Sequence, residues 1–163
     1  MDRVDGIVAQ WNRERPDLDT GPMGLIGRLR RLSHHLLREM EKTFARHGLN
    51  DATFDLLATL RRSGAPYRLS PGDLLGTTMI TSGSMTNRID QLEKLGFVKR
   101  MQNPEDGRSV LIGLTEKGLG VIEAAVTDHV ATQVRLTAAL PAAERAALDG
   151  LLRPFLASFE TER

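Results

Sequence analysis

The sequence predicts a mainly α-helical fold with one small β-hairpin. Apolar residues recur at intervals of three and four along most of the 163 residues, and a capping side chain or a proline precedes several of these segments. Two strand-like runs, FVKRMQ and SVLIGL, flank the turn-rich loop NPEDGR. The composition, 40% hydrophobic and 26% charged, is that of an ordinary globular domain. We therefore expect one compact module with an added element for association.

The composition also excludes several classes of function. The chain has no cysteine, which excludes thiol catalysis, disulfides, cysteine-based zinc sites and sensing by cysteine oxidation. No apolar run reaches membrane-spanning length, and the first residues, MDRVDGIVAQWNRERP, are acidic where a signal peptide would be basic and then apolar. We expect a cytoplasmic protein.

The helices are predicted in order from their spacing and their caps. A short leading helix carries Val4, Ile7, Val8 and Trp11 and is stopped by Pro16. A long helix ending near Gly48 carries a stripe formed by Leu25, Leu29, Leu32, Leu36 and Met40. Asn50 or Asp51 caps the next helix, and Ser70 with Pro71 begins a short one.

A further helix, capped by Thr81 or Ser82, ends at Gly96 and precedes the hairpin. Thr115 and Pro141 then begin two helices, the second with apolar residues at Leu148, Leu151, Leu152, Phe155 and Phe159. One subunit offers too little partner surface for these side chains. We therefore predict a symmetric homodimer joined by residues 24–48 and 116–163.

The net charge is only +1, but it is unevenly distributed. Residues 61–112 carry eight basic and five acidic side chains, whereas residues 1–23 carry three and five. The middle of the chain is therefore modestly basic, which favours a nucleic-acid partner for that segment.

The motifs S-P-x-x-L, I-D-x-L-E-x-x-G-F-V and N-P-E-D-x-R lie between residues 69 and 118. This segment resembles the MarR family of winged helix-turn-helix transcription regulators along its whole length. The resemblance implies an extra N-terminal helix with its linker (1–23), dimerisation helices (24–48 and 116–163) and a DNA-binding lobe (49–115). It further implies a homodimer on a pseudo-palindromic duplex operator, a ligand-released repressor of its own and a divergent gene, no catalysis, and neither cofactor nor metal.

The DNA-binding residues follow from the groove that each element enters. A helix in the major groove needs short polar side chains near its start, and Ser82, Ser84, Thr86 and Asn87 supply them. Arg108 resembles the wing arginine that the family directs to the minor groove. The alternative for Arg108 is a surface ion pair with Asp106, which would have little energetic value.

The predicted recognition helix departs from the common family pattern at two positions. Relatives commonly carry arginine where this chain has Asn87, and an aliphatic residue where it has Arg88. Arg88 follows Met85 by three residues and precedes Leu92 by four, so its side chain should lean toward the core. A buried guanidinium requires an anionic partner, and Asp55 is the nearest candidate.

Trp11, Asp55, Arg88 and Arg100 together resemble the urate-responsive branch of the family, in which these residue types surround an anionic purine. The resemblance implies urate or a related anionic purine as effector, held between the leading helix and the DNA-reading lobe. In the alternative, Trp11 only fixes the leading helix, Arg88 pairs structurally with Asp55, and Arg100 contacts phosphate. Another small aromatic or phenolic effector also remains open.

Two other functional classes are alternatives for this sequence. An enzyme would need a nucleophile with an adjacent base, a phosphate-binding loop or a metal constellation, and none is apparent. A winged-helix module that binds only protein would lack salt-dependent binding to duplex DNA. His34 and His35, in the long helix, are candidates for a pH switch or for ordinary solvated side chains.

Overall fold

The structure is a computed structural model that describes residues 1–78 and 85–160. In this part of the chain the elements, in order, are α1 (Arg3–Glu14), α2 (Gly21–Arg46), α3 (Asp51–Arg62), β1 (Arg68–Leu69), α4 (Pro71–Thr77), α5 (Met85–Lys94), β2 (Val98–Gln102), β3 (Val110–Leu114), α6 (Glu116–Thr137) and α7 (Ala142–Glu160). The predicted fold class, mainly helical with a small sheet, is confirmed. The predicted cap at Thr81 or Ser82 lies outside the described residues. Within the described ranges, no helix is long and apolar enough to cross a membrane.

The chain divides into two compact units, residues 1–42 and 43–163. In the first unit, α1 lies antiparallel to the beginning of α2. Asp2 caps α1 by accepting hydrogen bonds from the amides of Val4 at 2.6 Å and Asp5 at 3.0 Å. The same carboxylate pairs with Arg28 of α2 at 2.8 Å, and Asp5 also pairs with Arg28. Gly27 admits Val4, because a Cβ at position 27 would lie 3.2 Å from Val4 Cγ1.

The core of the second unit lies around α3, which is capped by Asn50 and contacts α4, α5, α6 and β3. The apolar side chains of α3 recur on the side of the helix that faces the core, and they are buried there. The core residues that are almost completely buried in this unit are Phe44, Leu56, Leu57, Leu60, Leu74, Leu92, Ile112 and Ile122. The core therefore holds the helices that precede the hairpin in a fixed relation to the sheet.

The sheet has three antiparallel strands in the order β1, β3, β2. Ile112 of β3 pairs with Leu69 on one side and with Arg100 on the other. Thr115, which follows β3, caps α6 by accepting from the amide of Gly118 at 2.9 Å, and its hydroxyl donates to the carbonyl oxygen of Gly96 at 2.7 Å. The end of α5, the hairpin and the start of α6 are thus joined at one place.

The last helix, α7, is amphipathic in sequence but has no buried residue in this single chain. Leu151 and Phe159 are 71% and 66% exposed, and Phe155 and Phe159 contact each other edge to face. Exposed side chains of this size and number are unusual on the surface of a monomer.

Candidate DNA interface and effector site

The helix pair α4 and α5 forms the first part of the candidate interface. The Ser70 hydroxyl accepts from the amide of Asp73 at 3.1 Å and so begins α4. Along α5, Met85 is buried against the core while Thr86 and Asn87 are exposed. The predicted base-contacting roles of Thr86 and Asn87 are consistent with this exposure and stay predictions. The other predicted base-reading residues, Ser82 and Ser84, lie outside the described residues.

The hairpin between β2 and β3 forms the second part. Its loop is closed by backbone hydrogen bonds from the Asn103 amide to the Ser109 carbonyl at 2.9 Å and from the Ser109 amide to the Asp106 carbonyl at 3.0 Å. Asp106 accepts from the backbone amide of Arg108 at 3.1 Å. The Arg108 side chain is exposed and forms no ion pair with the residues that the structure describes. The loop thus presents a cation on a constrained backbone.

Arg100 on β2 joins the hairpin to α5. Its guanidinium donates to the carboxylates of Asp90 and Glu93, and its backbone amide contacts Glu93 at 3.3 Å. These hydrogen bonds, with Asp90 first, raise the pKa of Arg100. We call Arg100, Asp90 and Glu93 the Arg100 cluster. Sequence reasoning missed both acids, although their spacing of three residues on one helix face is readable.

Arg88 lies on α5 and is half-buried. Its Nη1 atom is buried and has no hydrogen-bond partner among the described residues. An unpaired guanidinium nitrogen in a poorly solvated position is costly, and an anion placed there would offset that cost. Nη1 of Arg88 is therefore a candidate contact for an anion on α5.

The remaining predicted effector residues are placed as follows. Asp55 lies on α3, its side chain is only 16% exposed, and its Oδ1 lies 3.7 Å from Nη1 of Arg62. Trp11 belongs to the first unit, on α1, and is 43% exposed. Arg100 belongs to the second unit and is already engaged by the two carboxylates of its cluster. The ligand-binding roles of all four residues stay predictions.

A helix pair with exposed polar side chains, followed by a hairpin with an exposed arginine, defines a winged helix-turn-helix protein that binds duplex DNA. A family model described as "MarR family" matches residues 49–110. The chain is 42% identical over 149 residues to the HTH-type transcriptional regulator PecS of Dickeya dadantii strain 3937, covering 91% of this chain and 90% of that protein. The chain therefore belongs to the MarR family: it is a transcription regulator and not an enzyme.

Two solved structures show the same architecture. Mutant MarR from E. coli, crystallised in complex with operator DNA, is 25% identical with a TM-score of 0.70, and the match covers 90% of this chain and 97% of that one. BpsR of Bordetella bronchiseptica, whose DNA binding is regulated by 6-hydroxynicotinic acid, is 26% identical with a TM-score of 0.71. That match covers 85% of this chain and 95% of BpsR.

Proposed function

We propose that this protein is a repressor that binds a pseudo-palindromic operator as a homodimer and is released from DNA by urate or a related anionic purine. The observation that supports the ligand proposal is the buried Nη1 of Arg88 on α5, which has no hydrogen-bond partner among the described residues. An anion bound there would connect ligand binding to the DNA contacts proposed for α5. Any movement of α5 that improves pairing with an anion also moves Thr86 and Asn87.

The dimer is supported by the exposed apolar side chains of α7 and by the stripe on α2. Leu151, Leu156 and Phe159 on α7 and Leu25 and Leu32 on α2 are all at least half exposed in the single chain. Burial of such side chains stabilises by about 1.5 to 3 kcal/mol each, so leaving them in water is unfavourable. A two-fold dimer covers both helices and presents two recognition helices to successive major grooves. Because its target is duplex DNA, we assign the protein to the cytoplasm.

In the proposed ligand complex, Arg88 meets the negative charge of the purine. The anion also acts on the carboxylate of Asp55, which lies on α3 in contact with α5, by like-charge repulsion. On the resemblance to the urate-responsive branch, we propose that Trp11 stacks on the ring and that Arg100 makes a further charge contact. For Arg100, this contact requires that the ligand compete with Asp90 and Glu93.

The ligand must bind the free protein more tightly than the DNA-bound protein, because an effector shifts an equilibrium only by its differential affinity. The test is a mobility-shift titration of the gene's own upstream DNA, with urate added at increasing concentration to wild type, Arg88→Gln and Trp11→Phe. Urate binding is followed in parallel by calorimetry. Trp11 is the only tryptophan, so its fluorescence also reports binding.

We expect urate to release wild-type protein from DNA. We expect Arg88→Gln to bind urate about tenfold or more weakly than wild type, which is the usual effect of losing a charge-assisted hydrogen bond. Undiminished release from Arg88→Gln contradicts the mechanism. If wild type does not bind urate but binds 6-hydroxynicotinate, the second candidate, a regulator of another small aromatic anion, is correct. We include 6-hydroxynicotinate because the DNA binding of BpsR is regulated by 6-hydroxynicotinic acid.

A further inference from the structure

Arg62, in the last turn of α3, contacts two parts of the second unit with two different nitrogens. Its Nη2 donates to the backbone carbonyl oxygen of Thr77, the last residue of α4. Its Nη1 lies 3.7 Å from Oδ1 of Asp55, the α3 carboxylate that is a predicted effector residue. One side chain therefore connects Asp55 to the end of α4.

The carbonyl group of Thr77 needs a donor from outside its own helix. α4 has only seven residues and no basic residue in its last turn, and the backbone of the next residue, Thr78, is extended with φ −86° and ψ 151°. The last carbonyl groups of a helix have no partner within that helix, and a cation beside them is also favoured by the helix dipole. Arg62 thus supplies both a hydrogen bond and a positive charge at the C-terminal end of α4.

Asp55 and Arg62 lie on the same side of α3, because seven residues complete almost two helical turns. A long side chain on a helix leans toward the N-terminus, which directs Arg62 back toward Asp55. Leu56 and Leu57, the neighbours of Asp55 in the chain, are completely buried, and the Asp55 side chain itself is only 16% exposed. The carboxylate is therefore held by the core, whereas the Arg62 side chain is half exposed.

The contact between Arg62 and Asp55 is an ion pair and not a hydrogen bond, since 3.7 Å exceeds hydrogen-bond distance. The energy of such a pair at a half-exposed site is small. Its effect is on orientation, because the guanidinium group is a planar fork: with Nη1 toward Asp55, Nη2 is directed at Thr77. A change in the position or the charge of Asp55 therefore alters the hydrogen bond that Arg62 makes to α4.

We propose that Arg62 is a positioning residue for DNA binding, which together with Asp55 fixes the end of α4 and so the place from which the chain continues toward α5. Thr86 and Asn87, the predicted base contacts, stand at the start of α5. For release by an effector, this inference rests on the proposed function, in which the bound anion repels Asp55. Arg62 then transmits the displacement of Asp55 to α4.

The test is a double-mutant cycle on DNA affinity without any ligand. Wild type, Asp55→Asn, Arg62→Gln and the double variant are titrated onto the gene's own upstream DNA and followed by fluorescence anisotropy. The cycle cancels the direct effect of each charge change on DNA. We expect Asp55→Asn to reduce DNA affinity by a factor about threefold or more larger in wild type than in the Arg62→Gln background. Equal effects of Asp55→Asn in the two backgrounds overturn the proposal.

Two control variants separate the fork of Arg62 from its charge. Arg61→Gln removes the same charge from the preceding residue, whose guanidinium pairs with Glu123 of α6, and should bind DNA as wild type does. Arg62→Lys keeps the charge without the fork and should bind DNA as weakly as Arg62→Gln. Arg62→Gln should also keep the wild-type salt dependence. A smaller salt dependence would show that Arg62 contacts phosphate directly, and the positioning role would be wrong.

Urate tests the effector part of the inference. Free Arg62→Gln should bind urate with wild-type affinity in calorimetry, whereas the factor by which urate lowers DNA affinity should be about threefold or more smaller than in wild type. A merely structural role of Arg62 would lower DNA affinity and leave that factor unchanged, which would contradict the transmission. If urate does not release wild type, the proposed function is wrong, and the ligand-free cycle still decides the role of Arg62.

Discussion

Gly118, in the first turn of α6, lies against the backbone of Phe97, which precedes β2. A Cβ at position 118 would come within 1.9 Å of the Phe97 carbonyl oxygen and 2.7 Å of its carbonyl carbon. The contact is with backbone, so rotation of a side chain cannot relieve it. Glycine at this position is therefore required for α6 to begin beside the hairpin.

The close approach predicts a large effect of the smallest possible substitution. Gly118→Ala should lower the free energy of unfolding by about 3 kcal/mol or more, because overpacking against backbone forces α6 away from β2. Gly120→Ala, two residues along the same helix with nothing within 4 Å of its Cβ position, should raise it by about 0.5 to 1 kcal/mol. Urea denaturation measures both, and a Gly118→Ala variant as stable as Gly120→Ala would contradict the packing described.

The recognition helix and the hairpin should contribute to DNA binding in different ways. Arg108→Ala should weaken binding to all sequences and reduce its dependence on salt, because a phosphate-directed cation releases counterions on binding. Asn87→Ala should instead reduce discrimination between operator and altered operator by about 1 to 3 kcal/mol, if Asn87 contacts a base edge. Salt-dependent fluorescence anisotropy with both duplexes distinguishes the two. Equal losses on both duplexes for both variants would refute the division of roles.

The apolar face of α7 should be needed for association. Leu151→Asp/Phe155→Asp places two charges among side chains that a second copy would bury, so we expect monomer in sedimentation velocity. Arg145→Asp changes the net charge by the same two units at an exposed polar position and should remain dimeric. An unchanged dimer in the double variant would show that the interface lies elsewhere. Circular dichroism establishes that the monomer retains its helices.

Protonation of His129 should destabilise the second unit. The imidazole packs against the rings of Phe44 and Phe54, which also stack on each other, at centroid distances of 5.2 and 4.8 Å. Its buried Nδ1 has no hydrogen-bond partner among the described residues. Burial lowers the pKa of His129, although the charge of Asp51 acts in the opposite direction. The unfolded chain therefore binds this proton more readily than the folded chain does.

The direction of the pH dependence of the unfolding free energy follows from the lowered pKa of His129. The contribution of neutral His129 is complete above the ordinary imidazole pKa of about 6.5, and stability falls below it by at most about 1.4 kcal/mol for each pH unit. His129→Phe keeps the aromatic contacts and should flatten the dependence of unfolding free energy on pH between about 6.5 and 5. A His129→Phe slope equal to that of wild type would show that other groups are responsible.

Local sequence signals were sufficient for most of the fold. Ser70 beside Pro71 predicted where α4 begins, and Thr115 predicted the start of α6, because a cap and its helix are neighbours in the chain. The partners of Arg100 were not predicted. Asp90 and Glu93 lie across a turn on another element, and ion pairing between elements depends on the angle at which they pack, which propensity and periodicity do not specify.

At the candidate sites too, local spacing predicted the orientation of a side chain but not the contacts between elements. The spacing of Arg88 from Met85 and Leu92 predicted that its side chain leans inward, and the structure shows a buried Nη1. The close packing of α1 against α2 was not predicted, because it depends on Gly24 and Gly27 leaving room for Val8 and Val4. In sequence, these glycines resemble ordinary helix positions of low propensity.

The Arg100 cluster also affects the electrostatic potential of the surface that α5 would present to DNA. Asp90 and Glu93 give α5 two negative charges that phosphates would repel, and Arg100 supplies a cation from outside the helix that compensates for them. In addition to the DNA contact proposed for the hairpin tip, the first strand of the hairpin therefore makes the electrostatic potential of the neighbouring face of α5 less negative. Loss of the Arg100 side chain would leave Asp90 and Glu93 uncompensated. The affinity for duplex DNA would then fall even if Arg100 itself does not contact the DNA.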